Sequence, residues 1–395
     1  MADDPFKGVP FLGDLARMLS KQGPIAWDAA RQLAYSIATE GQSEPNIDPI
    51  ERMKLEQLAR VADLHVTEAT GLSTSVTGRS VEVVPVTRGQ WVQQTLDAYR
   101  PLFERLGTTL AGAAGAASER APVEAAAAED DDPEAAWLAS LMQMLGPMML
   151  GMAAGSMIGH LATRSFGQYD LPVPRAESDQ LSILIGNLTR FGDEWSLPAD
   201  DLRLWICLHE LSHHAVLGVD HVRARLSSLI SDYVAGFEPE SGSLESRLGD
   251  VDPSSMSSLQ GLQQLFGDPE VLLGVTQSPA QRELLPQLET LVAVILGYVD
   301  HVMDRVGGRL ISSYAMVTEA LRRRRVEAGD ADRFVERLFG LELGQRCYDR
   351  GAAFVDGVVE RGGDEALARL WRVESELPTP AELDAPGLWL ARIDL

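Results

Sequence analysis

The residues of this sequence best suited to chemistry are His209-Glu210-Leu211-Ser212-His213. Residues four apart in an α-helix share one face, about one turn from each other. On a helix, His209 and His213 therefore offer two imidazole nitrogens to one point, an arrangement that binds Zn²⁺ at ~2.0–2.1 Å. Glu210 follows the first histidine and reaches a water at such a metal. There it can serve as general base, with the metal lowering the pKa of the water toward ~7. Five residues need context before they mean this. Ser196-Leu197-Pro198 supplies a cap and first-turn signal, Asp200 and Asp201 put acid near a helix N-terminus, and Gly218 can end the helix. Leu202, Trp205, Ile206 and Leu208 precede the motif, and its flanks are uncharged, which predicts a buried helix. The plain alternative is an ordinary helix whose two histidines bind nothing.

A catalytic zinc takes three protein ligands, and the third is not given by the motif. The downstream Gly and His of metzincins would fall at Val216 and Val219, so that pattern fails. His214 sits about 100° round the helix from His213 and suits a supporting hydrogen bond. His221, just past Gly218, reads as the start of the next helix with Asp220 as its cap. The better region is Leu291 to Asp304, an apolar helix in which Asp300 and Asp304 share a face with Leu296. A carboxylate on an apolar helix calls for a partner or a metal. Asp300 is the first choice for the third ligand and His301 the second. The other role open to Asp300 is to orient His209 or His213.

Other residues carry weaker signals. Arg322 to Arg325 place four positive charges at a helix end, where a solvated face or pairing with acidic surface is the default. Cys207, two residues before His209, reads as a small buried hydrophobe. Amide hydrolysis needs an oxyanion donor, for which Tyr233, Tyr298 and Tyr314 are candidates that nothing local separates.

The elements around the motif are mostly helical. Gly23-Pro24 opens a run through Ile25, Ala26, Ala29, Leu33 and Ile37, with Pro24 suited to a first helical position. Further runs cover about Pro49–Glu68 and Thr87–Leu106, and Ser80–Val86 between them alternates as a strand or hairpin arm. Residues 1–110 thus form an N-terminal helical region with a short β-hairpin. Residues 111–136 are Ala-rich and acidic and predict a solvated, disordered insert, since Val123 is their only large aliphatic. The remaining 137–395 form the helical body with the metal site. It begins with an uncharged stretch, Ala135–Thr163, that holds Gly151, Gly155 and Gly159. That spacing suits either a membrane helix or a central core helix that a neighbour approaches closely; Pro147, Gln143 and His160 favour the core helix. Leu181–Ile185 reads as a strand, Gly186–Trp195 as a polar connection, and everything past Pro198 as helix, with a Pro-rich extended arm from Leu377.

Composition sets outer limits. The 395 residues carry 34 Lys and Arg against 58 Asp and Glu, a net charge of −24. Nucleic acid and anionic lipid both select for basic surfaces, so neither is an expected partner. Only Lys7, Lys21 and Lys54 are lysines, a skew that reflects genome composition. Two cysteines exclude a disulfide framework, and the N-terminus lacks a secretory pattern, so a cytoplasmic protein without a membrane segment is expected.

Several stretches together resemble the zincin-like hydrolases of actinobacteria, a group known as zinc-dependent metalloproteases. One branch of that group is associated with biosynthesis of a deazaflavin coenzyme. The resemblance spans nearly the whole chain. It rests on Gly23-Pro24, Trp27-Asp28 and Ala30-Arg31-Gln32, then Gly155-Ser156-Met157-Ile158-Gly159-His160 and Gly167-Gln168-Tyr169-Asp170. It continues through the HELSH motif, Gly297-Tyr298-Val299-Asp300-His301 and Pro378-Thr379-Pro380. It implies a mainly α fold with a small β component, a zincin-like metallopeptidase fold around the HExxH helix. It also implies zinc on His209 and His213, with Glu210 as base. In the family pattern a Glu often precedes the glycine that is Gly297 here, and this chain has Leu296 instead. Either Asp300, one turn along, takes over, or the site binds metal poorly.

The expectation is thus a zinc-dependent hydrolase that cuts a peptide or other amide bond in a peptide or protein substrate. Its metal ligands would be His209, His213 and Asp300, and its catalytic base Glu210. The rival is a non-catalytic zincin-like scaffold with a degenerate third ligand. The sequence sets neither the substrate nor the oligomeric state.

Overall fold

The computed structural model describes residues 23–124, 133–237, 277–326 and 330–394, with the side chains of 113–145 and 326–332 outside that description. In chain order the elements are α1 (Trp27–Thr39), α2 (Pro49–Thr70), β1 (Glu82–Val86), α3 (Arg88–Glu124), α4 (Pro133–Arg164), β2 (Gln180–Leu184) and α5 (Ile185–Glu194). They continue as α6 (Ala199–Leu217), α7 (Asp220–Ala235), α8 (Pro279–Leu310), α9 (Tyr314–Val326), α10 (Asp330–Leu338) and α11 (Gln345–Ala368). Two short 3₁₀ turns then lead to α12 (Pro380–Leu383) and α13 (Pro386–Ile393). The fold is mainly α with one small sheet, as the residue patterns predict.

Local signals set several boundaries. Asp48 caps α2 by accepting from the Ile50 amide, Pro49 opens it, and Gly71 closes it at φ 68°. Ser278 and Gln281 form a reciprocal capping box at the start of α8. The first helix begins three residues later than Pro24 suggests, because Ala26 donates its amide to the Pro147 carbonyl of α4 and acts as the N-cap.

The glycine stripe of α4 is a packing device. A Cβ on Gly151 or Gly155 would lie 2.5 Å from the carbonyl oxygen of Ala26 or Ala30, and one on Gly159 would lie 2.9 Å from that of Ala34. Glycine every fourth residue on α4 thus meets alanine every fourth residue on α1, and the backbones touch. This is the core-helix reading. Among the described residues no helix is long and apolar enough to cross a membrane.

The strand reading holds in place but not in partner. β1 pairs in parallel with β2, Glu82 opposite Gln180 and Val86 opposite Leu184, so no hairpin forms. Parallel strands require a long crossover, supplied here by α3 and α4. Gly186–Trp195 is not a loop but the amphipathic helix α5, with Leu188 and Phe191 buried. The C-terminal stretch is not an extended arm either. It folds into α12 and α13, and Trp389 is fully buried against Phe354 of α11. Backbone of the Ala-rich stretch is helical through Glu124 and again from Pro133, and its acidic cluster 129–132 lies outside the described residues.

At the centre lies α6. It packs on α2 and α8, and nearly all of it from Leu202 to Leu217 is buried. Arg203 anchors it, with its guanidinium 2.9 Å from each carboxylate oxygen of Glu51 on α2 and 3.0 Å from Asp200. A bidentate pair of this kind fixes orientation as well as distance.

Candidate metal centre

The helix pattern puts both motif histidines on one face of α6. Their ring centroids lie 4.4 Å apart, and Trp205, one turn earlier, stacks on His209 at 4.9 Å. His213 is held by its own helix: Nδ1 lies 3.1 Å from the His209 carbonyl oxygen, a bond in which the ring nitrogen donates. That fixes the tautomer and leaves Nε2 with a free lone pair, and this buried atom has no hydrogen-bond partner. His209 keeps 14% of its side chain exposed, whereas His213 is buried.

Glu210 is fully buried on a wall made by residues 166–170. Its Oε2 accepts from the amides of Gln168 at 2.9 Å and Tyr169 at 3.1 Å, and its Oε1 lies 3.3 Å from His209 Nδ1. The wall comes close because residue 167 lacks a side chain: a Cβ on Gly167 would fall 2.2 Å from the Glu210 carboxyl carbon. Three bonds brace this turn. Asp170 accepts from the amides of Phe166 and Gly167 at 2.7 and 2.8 Å, and Trp91 Nε1 donates to the Gly167 carbonyl at 2.9 Å. Tyr169 stacks on His213 at 6.0 Å, and its hydroxyl meets His214 Nδ1 at 2.9 Å, the supporting role expected of His214.

Burial controls the charge states. It lowers the pKa of His209 to about 4, with Arg325 and Arg324 adding to the effect and Asp170 opposing it. His213 is pushed well down by burial and by His209. Both rings are therefore neutral at neutral pH, the form that can ligate a metal. Glu210 is raised to about 8 by burial first and the Asp170 carboxylate second, against the Gln168 and Tyr169 amides and Arg175. A carboxyl tuned to that range exchanges protons near neutral pH.

The remaining sequence candidates fall elsewhere. Asp300 on α8 lies 3.6 Å from Arg325 of α9, with 35% of its side chain exposed. Burial raises its pKa and Arg325 counters the rise. His301 is 3.8 Å from Asp364, on the α11 side, and Leu296 is buried in the core. Among the described residues no group of three or more His, Cys, Asp or Glu side chains converges in a way that could hold a metal ion. The two histidines thus fit the nitrogen half of a zinc site, and Asp300 remains tied to Arg325. His221 lies in the first turn of α7, where Val219 rather than Asp220 is the N-cap. Cys207 is fully buried and its thiol is pushed up by burial, which suits a packing role. Tyr233 packs on Phe237, Tyr298 on Trp371, and Tyr314 bonds Asp304, and among the described residues none of the three has a hydrogen bond or ring contact with His209 or His213.

The Arg322–Arg325 run takes the second of its two expected roles, pairing with acidic residues: Arg322 and Arg323 pair with Glu319, Arg324 with Asp170 and Arg325 with Asp300. Arg324 lies 3.7 Å over the Phe166 ring and 3.7 Å from Asp170, and Arg325 lies 4.1 Å over the Tyr348 ring. Sequence reasoning missed Trp91, Tyr169, Asp170 and Arg175 as site residues. The Gly167–Asp170 run was the available signal, because a glycine beside polar and aromatic residues marks a close backbone approach.

A crystal structure from Chloroflexus aurantiacus, described as "a putative hydrolase with a novel fold", superposes with a TM-score of 0.62 at 22% identity, over 94% of this chain and 99% of that one. That likeness shows the shared fold. A search of curated proteins gives no match. The model of the zincin-like metallopeptidase family matches residues 25–390, and the chain belongs to that family.

Proposed function

We propose that the protein is a zinc-dependent hydrolase of peptide or other amide bonds. The observation that carries this reading is the buried, partnerless Nε2 of His213, four residues from His209 and fixed in the ligating tautomer by the His209 carbonyl. His209 and His213 would hold the zinc, and Asp300 would complete the set by exchanging Arg325 for the metal. Bound there, zinc supplies Lewis acidity toward a substrate carbonyl and a water molecule. The chain does the rest. Glu210, held by the Gln168 and Tyr169 amides, takes a proton from the attacking water and returns it to the leaving amine. Trp205 and Tyr169 fix the planes of the two histidine rings by stacking. The association of one sequence branch with deazaflavin coenzyme synthesis supports no particular substrate.

A mixed-sequence peptide library incubated with the zinc-loaded protein tests the reading. Cleavage is expected, and Glu210→Gln should lower it by ~10²-fold or more. One observation favours the scaffold alternative, namely that no third ligand converges among the described residues. No cleavage at all by a zinc-loaded protein would leave the scaffold reading in its place, and cleavage unaffected by Glu210→Gln would overturn the assignment of Glu210 as the base.

A further inference from the structure

We propose that Arg175 forms an anion subsite beside Glu210 that takes a substrate carboxylate. This deepens the hydrolase reading and rests on it, since it names the class of substrate.

Arg175 stands at the end of the segment that starts at the Glu210 wall. Residues 166–170 hold Glu210, Leu171-Pro172-Val173-Pro174 run onward, and Arg175 follows. Its guanidinium lies 5.8 Å from the Trp91 ring centroid and 5.3 Å from that of Tyr99. Trp91 is the same residue whose indole donates to the Gly167 carbonyl, behind the Glu210 carboxyl. One aromatic wall therefore carries both the base and the cation. The field of Arg175 also favours the charged form of Glu210.

What singles out Arg175 is a buried guanidinium nitrogen with no partner and no carboxylate beside it. Its Nη2 donates to Thr95 Oγ1 at 3.2 Å, and its Nε is buried with no partner. Among the described residues no carboxylate pairs with it, although the chain has 58 acidic residues. The other cations of this region are taken: Arg203 by Glu51 and Asp200, Arg324 by Asp170, Arg325 by Asp300. A guanidinium without a carboxylate partner can take an anion, and its planar fork matches the two oxygens of a carboxylate. Aromatic faces beneath it hold the plane without neutralising the charge.

The substrate class this gives is a short peptide or acylated amino acid with a free carboxylate near the scissile amide. Its hydrolysis consumes one water, breaks the C–N bond, and yields an acid and an amine.

Calorimetric titration of the full-length, zinc-free protein tests the subsite without relying on turnover. The probes are acetyl-alanyl-alanine and its carboxamide. The wild type should bind the free acid roughly tenfold more tightly than the amide, and Arg175→Met should remove that preference. Arg175→Lys, which keeps the charge and loses the fork, should retain a reduced preference, and serves if the Met variant does not fold. Equal binding of both probes, binding of neither, or a preference that survives Arg175→Met would overturn the inference. The two readings separate cleanly. A protein that shows the Arg175-dependent preference but hydrolyses nothing keeps the subsite and loses the hydrolase. One that cleaves free-acid and amidated peptides equally, with or without Arg175, keeps the hydrolase and loses the subsite.

Discussion

Glu210 shows how a single side chain can be legible in identity and hidden in environment. The spacing of HExxH places it on the right helix face, but its two amide donors come from residues 166–170, far along the chain, and its raised pKa from burial first and the Asp170 carboxylate second. No local pattern encodes that approach; only the glycine hints at it. The hint has a measurable consequence. Gly167→Ala would set a methyl 2.2 Å from the Glu210 carboxyl carbon, so the wall or the carboxylate must move. The expected cost is ~1–3 kcal/mol in denaturant unfolding, together with a fall in hydrolytic rate. A variant as stable and active as wild type would show that the wall is not packed on Glu210 as described. The arginine run teaches the converse lesson. Four like charges in a row suggest a solvated face or acidic partners, and Arg324 and Arg325 do find acids, but sequence distance conceals that these are Asp170 and Asp300, with Phe166 and Tyr348 beneath.

Elements were readable where one segment carries its own signal. The helix α2, the strand β1 and the buried α6 follow from amphipathic spacing, alternation and apolar flanks. Partners were not, because pairing information lies in another segment: β1 found β2 across α3 and α4 in place of a hairpin. The contact between α1 and α4 was half readable, since the glycine stripe announced a close neighbour without saying which. Gly155→Ala places a methyl 2.5 Å from the Ala30 carbonyl oxygen, a backbone atom that cannot rotate away. It should destabilise the fold by ~1–3 kcal/mol. Gly308→Ala, with nothing within 4 Å, should instead gain ~0.5–1 kcal/mol from helix propensity. Thermal unfolding of the two variants should move in opposite directions, and a shared direction would contradict the packing. Acid dependence probes the entry to α6. Asp201 accepts from Ser312 Oγ at 2.8 Å and from the Ser313 amide and hydroxyl at 2.9 and 2.7 Å, which hold its carboxyl below its ordinary range. A depressed carboxyl stabilises above the unfolded pKa of ~3.9 and loses that effect as pH falls through the folded value. Ser313→Ala should therefore cost up to ~1 kcal/mol at neutral pH and progressively less below pH ~4. A cost that does not shrink in acid would locate the role of Ser313 elsewhere.

For the molecule as a whole, composition and periodicity foretold a mainly helical body with a small β component. The family match over residues 25–390 agrees with that. The sheet and the α1–α4 packing join the N-terminal helices to the body that holds the motif, so the metal helix is supported from both ends of the sequence. The central claim is that this body holds one zinc on His209 and His213. Elemental analysis of the purified protein, beside a His213→Ala variant, tests it most directly. About one zinc per chain in the wild type, absent from the variant, is the predicted result. No zinc in the wild type after reconstitution, or zinc retained by His213→Ala, would contradict it.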